Sequence, residues 1–128
     1  MKKTALLLTA ILFTLSVQSQ ETFTKAYLNV ILAHGKAIKH FNASIAFIFD
    51  LEENILEYYP HEGKKEEFIF LSEFQYGIDK YGDSYRIIKS VSKEFGEIIY
   101  VQVYDNPDFG MNFLYEGGET IIHFYNKK

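Results

Sequence analysis

From Ser44 onward, apolar and polar side chains alternate along the chain with a period of two residues. This alternation predicts β-strands, because successive side chains of a strand point to opposite faces of a sheet. An amphipathic helix would instead need apolar residues spaced three and four positions apart. The alternating runs are Ile45–Leu51, Tyr85–Val91, Ile98–Tyr104, Met111–Tyr115 and Ile121–Tyr125. Two further strands are predicted at Asn54–Tyr59, which follows a hairpin turn, and at Phe68–Leu71, a short, fully apolar run suited to a strand packed on both sides.

Residues typical of turns separate these runs. Glu116–Glu119 contains two consecutive glycines, which can adopt the positive φ angles of a tight hairpin. Leu51–Asn54 and Lys93–Gly96 are further turns, and Pro107 interrupts the strand ladder because it has no N–H to donate. Gln75–Ser84 is the longest connection. The spacing predicts an all-β fold, an antiparallel meander of about seven to eight strands that forms a small barrel or a sandwich.

The segment Thr22–Phe41 fits two patterns. As a strand, its alternate apolar residues share one face, and the chain turns near Gly35. As a helix, Tyr27, Ile31 and Ile38 line up, but Gly35 inside that helix would cost roughly 1 kcal/mol relative to alanine. The pattern favours the strand, with the helix as the alternative.

The N-terminus has the three parts of a secretory signal peptide. Lys2 and Lys3 form a positive head, Ala5–Val17 is uncharged and mostly apolar, and Ser19 precedes a cleavage point before Gln20. As a helix the apolar run would extend about 20 Å, short of the roughly 30 Å of a bilayer core. The pattern therefore predicts a cleaved signal helix rather than a membrane anchor.

We therefore expect residues 1–19 to be the signal peptide and residues 20–128 to form a single β domain, periplasmic or secreted, with no transmembrane segment after cleavage. The sequence has no cysteine, so packing of its 12 Phe and 10 Tyr must stabilise the core in place of disulfides. Without Lys2 and Lys3, 11 of the 13 basic residues remain against 17 acidic ones, a net charge of −6. This balance argues against a nucleic-acid partner, which would require clustered positive charge.

Residues with catalytic or metal-binding chemistry do not form a known motif in this sequence. The serines lack the Gly-x-Ser-x-Gly elbow of a hydrolase, and the four histidines lack the spacing of paired zinc ligands. Adjacent carboxylates such as Glu52–Glu53 and Glu66–Glu67 fall in charged turns, where we expect solvent to reach them. We assign no catalytic residue, no metal ligand and no cofactor.

The aromatic residues give the strongest indication of a binding surface. Tyr100 and Tyr104 flank Gln102 on the face of their strand opposite the aliphatic residues, and His123 and Tyr125 share one face of the last strand. Tyrosine is favoured at binding surfaces because it covers a large area with few rotatable bonds. We therefore predict Tyr100, Tyr104, His123 and Tyr125 as binding residues.

The order of these pieces resembles the small exported, cysteine-free all-β proteins of Gram-negative bacteria that are usually described as hypothetical. The matching segments are Ile45–Leu51, Glu52–Tyr59, Asp79–Ile88, Ile98–Tyr104 and Met111–Tyr125. The resemblance implies a compact barrel of at most lipocalin-like character. It carries no catalytic residue to this chain.

Three functions follow in order of preference. The first is an exported, non-enzymatic β-barrel module that binds a protein, a glycan or an apolar small molecule. The second is an envelope-associated accessory or structural protein that docks through an aromatic face. The third is a small hydrolase. A ligand-sized apolar interior would favour the first function, and a cleft in which His123 meets acidic side chains would favour the third.

Overall fold

The computed structural model describes residues 22–126, so the predicted signal peptide lies outside the described residues. The strands are β1 (Thr22–His34), β2 (Ala37–Asp50), β3 (Ile55–Tyr59), β4 (Glu66–Phe70), β5 (Gln75–Ile78), β6 (Ser84–Ser92), β7 (Ile98–Tyr104), β8 (Met111–Tyr115) and β9 (Thr120–Tyr125). A 3-10 helix, Pro107–Phe109, follows β7 at the proline that the sequence marks as a break. Within the described range, no helix has the length and hydropathy needed to span a membrane.

Eight of the strands close into an antiparallel barrel. Neighbouring strands pair in sequence from β1 to β4 and from β6 to β9, β9 also pairs with β1, and β4 pairs with β6 to complete the circle. The ninth strand, β5, pairs with residues 84–87 of β6 beyond the part of β6 that β4 occupies. The predicted antiparallel meander is confirmed as a barrel. The prediction of a plain connection over 75–84 was wrong, because this segment forms β5 and its turn.

The first two strands form a long hairpin. Residues His34 and Ala37 pair at its tip, Thr22 and Asp50 pair at its base, and Gly35 in the turn has a φ of 60°. The strand interpretation of this segment is therefore confirmed, and the helix alternative was wrong. The structure also extends β2 backwards to Ala37, well before the alternating run that marked it in the sequence.

Aromatic rings fill the middle of the barrel. The ring centroid of Phe47 lies 4.8 Å from that of Phe124, 5.4 Å from Phe113 and 5.1 Å from Tyr58. We call these four residues the core cluster. Because they come from β2, β9, β8 and β3, their rings cross the barrel from one wall to the other. Burial of a phenylalanine of this kind contributes roughly 1.5–3 kcal/mol.

Small residues on β6 make room for the rings. Ser90 and Ser92 are buried and pair across to Phe70 and Phe68 of β4. A buried hydroxyl needs a hydrogen-bond partner, and the Ser90 Oγ donates to the carbonyl oxygen of Ile99 at 2.8 Å. Alternation of small and large interior residues is typical of narrow barrels.

A second aromatic group closes the end of the barrel where β1 begins. Phe23 stacks on Phe49 with the ring centroids 4.5 Å apart. The guanidinium carbon of Arg86, the sole arginine of the sequence, lies 4.9 Å from the ring centroid of Phe23 and 5.0 Å from that of Phe74. Cation–π contacts of this kind contribute about 0.5–2 kcal/mol each. The first strand and the loop after β4 are thereby held together.

The turn over Glu116–Glu119 lies where the sequence predicts a hairpin. Gly118 has a φ of 80°, whereas Gly117 does not adopt a positive φ. The N–H of Gly118 donates to the carbonyl oxygen of Tyr115 at 2.9 Å. The turn therefore requires glycine at one of its two central positions rather than at both.

Gly110 connects the 3-10 helix to β8 under a tighter constraint. It is buried, its φ is 68°, and a Cβ atom added there would overlap the carbonyl oxygen of Phe124. The blocking atom belongs to the backbone of β9 and not to a flexible side chain, so it cannot move without disturbing the strand. Only glycine fits between β8 and β9 at this point.

We predict that Gly110→Ala lowers the free energy of unfolding by roughly 3 kcal/mol, because it combines backbone strain with a steric overlap. Urea denaturation followed by circular dichroism measures this loss. Gly117→Ala is the matched control, since an added Cβ there meets nothing within 4 Å. Equal stability of the two variants would contradict the constraint at Gly110.

Candidate functional site

A groove of about 360 Å³ lies on the outer surface of the barrel, beside the turn after β5 and the 3-10 helix. We call it the outer groove. Its floor is the outward face of β8 and β9. Its lining residues are Asp79, Tyr81, Asp83, Tyr104, Asp108, Phe109, Asn112, His123 and Tyr125.

Three polar side chains are linked across adjacent strands at this face. The strand register places Gln102 opposite Asn112 and Asn112 opposite His123. The Asn112 Nδ2 donates to the Gln102 Oε1 at 2.9 Å, and the His123 Nδ1 lies 2.7 Å from the Asn112 Oδ1. The hydrogen bonds fix both the amide and the imidazole in one orientation.

The imidazole of His123 stacks on an aromatic neighbour from the same strand. Its ring stacks on Tyr125 with a centroid distance of 5.2 Å and an interplanar angle of 13°. Burial lowers the pKa of His123, although a hydrogen bond with the backbone of Met111 opposes this shift. The neutral ring is therefore the favoured form at this position.

Asp79 organises the turn between β5 and β6. Its Oδ1 accepts the N–H groups of Tyr81 at 2.9 Å and of Asp83 at 3.0 Å, and its Oδ2 accepts the hydroxyl of Tyr104 at 2.9 Å. The backbone N–H of Asp83 is the largest cause of the lowered pKa of Asp79. The ionised carboxylate thus holds the turn against β7.

Tyr104 anchors the opposite wall of the groove. Burial, with the hydrogen bond to Asp79 as the next cause, raises the pKa of Tyr104 to about 12. Its ring centroid lies 5.7 Å from that of Phe109 on the 3-10 helix and 5.8 Å from that of Tyr85 on β6. The phenol therefore stays neutral and joins the turn, the helix and the sheet.

Tyr81 is the most exposed aromatic residue of the groove, with 77% of its surface accessible. Its ring has Lys80 Nζ 5.1 Å from the centroid on one side. Phe109 is also exposed, at 40%. These two rings offer apolar faces beside the carboxylates of the turn.

The structure brings three of the four predicted binding residues together. Tyr104, His123 and Tyr125 line the outer groove, whereas Tyr100 lies outside its lining, on the same outward face of β7 as Tyr104. The binding role of all four residues stays a prediction. Asp79 and Tyr81 were not predicted as binding residues, because the sequence pattern assigned Gln75–Ser84 to a connection between strands.

One carboxylate departs from the solvent-exposed environment expected of the acidic pairs. Glu66 is half-buried at the end of the barrel that carries the Glu116–Glu119 turn, on the same face of β4 as the buried Phe68. Burial raises the pKa of Glu66, and the charges of Glu94 and Glu97 raise it further. Glu66, Glu94 and Glu97 all lie outside the lining of the outer groove.

The described part of the chain contains no group of three His, Asp or Glu side chains arranged to hold a metal ion. The outer groove brings His123 together with Asp79, Asp83 and Asp108, the kind of cleft that would favour a hydrolase. The Nδ1 of His123 is paired with Asn112, however, and both carboxylate oxygens of Asp79 accept hydrogen bonds within the fold. The groove offers hydrogen-bond acceptors, hydrogen-bond donors and ring faces. A polar ligand with apolar patches is the chemical complement of such a lining.

Comparison with known proteins finds no matching family model, no matching curated protein and no matching solved structure. The resemblance to small exported β-proteins stays a prediction.

His123 predicts a pH dependence of stability. Its pKa in the folded state is below that of the unfolded chain, so the unfolded state binds more protons as the pH falls past about 6.5. We therefore expect the wild-type protein to lose more free energy of unfolding between about pH 7.5 and 5.5 than the His123→Gln variant does. Urea denaturation at several pH values measures the difference. Parallel pH profiles would contradict the buried, neutral state of the imidazole.

Proposed function

We propose that the protein is an exported, non-enzymatic β-barrel module that binds a carbohydrate in the outer groove. The observation that carries this proposal is the combination of ring faces with oriented polar side chains in one depression. A sugar ring presents apolar C–H groups on its faces and hydroxyl groups at its edge. Aromatic rings pack against the former, while carboxylates and amides hydrogen-bond the latter.

The stack of His123 and Tyr125 is the aromatic group of the groove against which a sugar ring would pack. Both rings come from β9, so a rigid strand rather than a loop supports them. Sites on rigid elements keep their geometry and lose little entropy on binding. Tyr81 and Phe109 extend the apolar surface at the rim of the groove.

The carboxylates that line the groove favour some classes of sugar over others. Asp79, Asp83 and Asp108 contribute three carboxylates to its lining. Each carboxylate can accept hydroxyl hydrogen bonds, and together they repel an anionic ligand. Neutral and amino sugars are therefore favoured over uronic acids and phosphorylated sugars.

Because the core cluster fills the interior of the barrel, it favours a ligand-binding site on the outer surface. Rings from β2, β3, β8 and β9 meet across the barrel with centroids 4.8–6.3 Å apart. An eight-stranded barrel has an interior that side chains can fill by themselves, or that holds one small ligand. Here the rings occupy the position that an apolar ligand would need.

A docking role for an envelope-associated accessory protein is the second candidate. It is favoured by the exposed rings of the hairpin formed by β5 and β6, where Tyr76 is 79% and Tyr81 is 77% accessible. These rings could contact a protein surface as readily as a sugar. Export of the mature chain, on which both candidates depend, is supported by the composition of residues 1–19.

The proposal predicts binding to an array of neutral and amino oligosaccharides, with the affinity for the best sugar measured by titration calorimetry. Tyr125→Ala should weaken that affinity by about tenfold or more, because it removes one ring of the His123–Tyr125 stack. Tyr100→Ala is the matched control, since Tyr100 lies on the outer surface but not in the groove. Absence of binding to any sugar, or equal losses in the two variants, would contradict the proposal.

A further inference from the structure

Among residues 22–126, no strand pairs with one side of the first half of β2. Residues 37–42 pair with β1 on one side, and the pairing of β2 with β3 begins only at Ala46. We call the unpaired side of residues 37–44 the free edge. An exposed strand edge is a template for a further strand unless the protein blocks it.

The hairpin geometry identifies which backbone groups the free edge offers. In a hairpin with a two-residue turn, the closing pair, here His34 and Ala37, exchanges both backbone hydrogen bonds, and every second pair does the same. The backbone groups of Ile38, His40 and Asn42 therefore point away from β1. No described residue bonds them in the fold.

His61 marks the inner limit of the free edge. The N–H of Ser44, the next outward-pointing group after Asn42, donates to the Nδ1 of His61 at 3.2 Å. The loop after β3 thus caps the edge at this point and leaves the earlier groups open. Residues 38–42 remain for a partner, a length of about 17 Å at 3.3 Å per residue.

Large apolar side chains surround the free edge. Ile38 is 62% accessible and Phe41 is 46% accessible, and Leu28 on the adjacent strand is 60% accessible. A groove of about 500 Å³ between Leu28 and His61 continues this surface. A strand added here would cover apolar groups in addition to pairing its backbone.

The positive charge of the hairpin formed by β1 and β2 favours an acidic partner. Residues 22–49 contain three lysines and no acidic residue, whereas 16 of the 17 acidic residues lie between Asp50 and Glu119. Lys39 lies in the free edge, and Lys36 lies in the turn that precedes it. Like charges across two paired edges repel, which disfavours pairing with the same edge of a second copy. Opposite charges attract, which favours an acidic strand.

We propose that the free edge binds an extended acidic segment of a partner protein, in which apolar and acidic residues alternate. The segment adds a strand to the barrel through the backbone groups of Ile38, His40 and Asn42. Its acidic side chains lie near Lys36 and Lys39, and its apolar ones contact the exposed apolar groups. This interface shares no residue with the outer groove and goes beyond carbohydrate binding.

The test uses a labelled peptide, (Glu-Val)₃-Glu with blocked ends, and fluorescence anisotropy with the mature protein. We expect saturable binding that weakens as salt is raised, and none by the corresponding (Lys-Val)₃-Lys peptide. His40→Pro should weaken binding at least tenfold, because proline removes an outward N–H that the fold does not use. Lys39→Glu should weaken it to a similar degree by reversing the charge.

Tyr76→Pro is the matched control for the proline substitution. Asp79 N–H donates to the Asp83 carbonyl oxygen at 2.9 Å, so by alternation the N–H of Tyr76 also points away from its neighbour β6. This variant should bind the peptide as the wild type does, and thermal melts should show all variants folded. Tyr125→Ala should also leave peptide binding unchanged, which separates this interface from the carbohydrate site.

Three results would overturn the proposal. One is failure of the acidic peptide to bind the wild-type protein. Another is unchanged binding by a folded His40→Pro variant. The third is a dimer in sedimentation that His40→Pro abolishes, because the edge would then pair with a second copy.

Discussion

The contact of aromatic rings across the barrel is the interaction on which the rest of the structure depends. The chain has no cysteine, so packing and strand pairing must keep the barrel closed without disulfides. Phe47 contributes to this packing from β2 and meets rings from three other strands. The small side chains of Ser90 and Ser92 are buried opposite Phe70 and Phe68 of β4. Removing bulk from the rings would leave a void, and adding bulk at the serines would create an overlap; both are costly in a close-packed interior.

Because aromatic rings fill the interior, we place ligand binding on the outer surface of the barrel. The same alternation that turns Phe124 inward to the core cluster turns His123 and Tyr125 outward to the groove. Core and groove are therefore two faces of one strand, and the packing of one fixes the orientation of the other. The free edge of β2 arises differently, because the first hairpin is longer than the strand that pairs with β2 on its other side.

The alternation predicted the strands well, because burial of one face imposes a period of two on the sequence. It missed β5, which has four residues, a glycine, and both Tyr76 and Ile78 exposed, so no apolar face marks it. Closure as a barrel depends on the pairing of β4 with β6, a long-range choice that local patterns do not encode. In the groove, the outward direction of Tyr104 could be predicted from the alternation along β7. The position of Asp79 could not, because Asp79 lies in a separate turn and reaches the groove through its hydrogen bond with Tyr104.

Xenon binding tests the filled interior most directly, because xenon enters dry apolar cavities in proteins and is visible in diffraction. Crystals of the mature protein under xenon pressure should show no xenon atom among Phe47, Tyr58, Phe113 and Phe124. A xenon atom bound between those rings would reveal an interior large enough for an apolar ligand. That result would contradict a barrel closed by aromatic packing, and with it the placement of recognition on the outer surface.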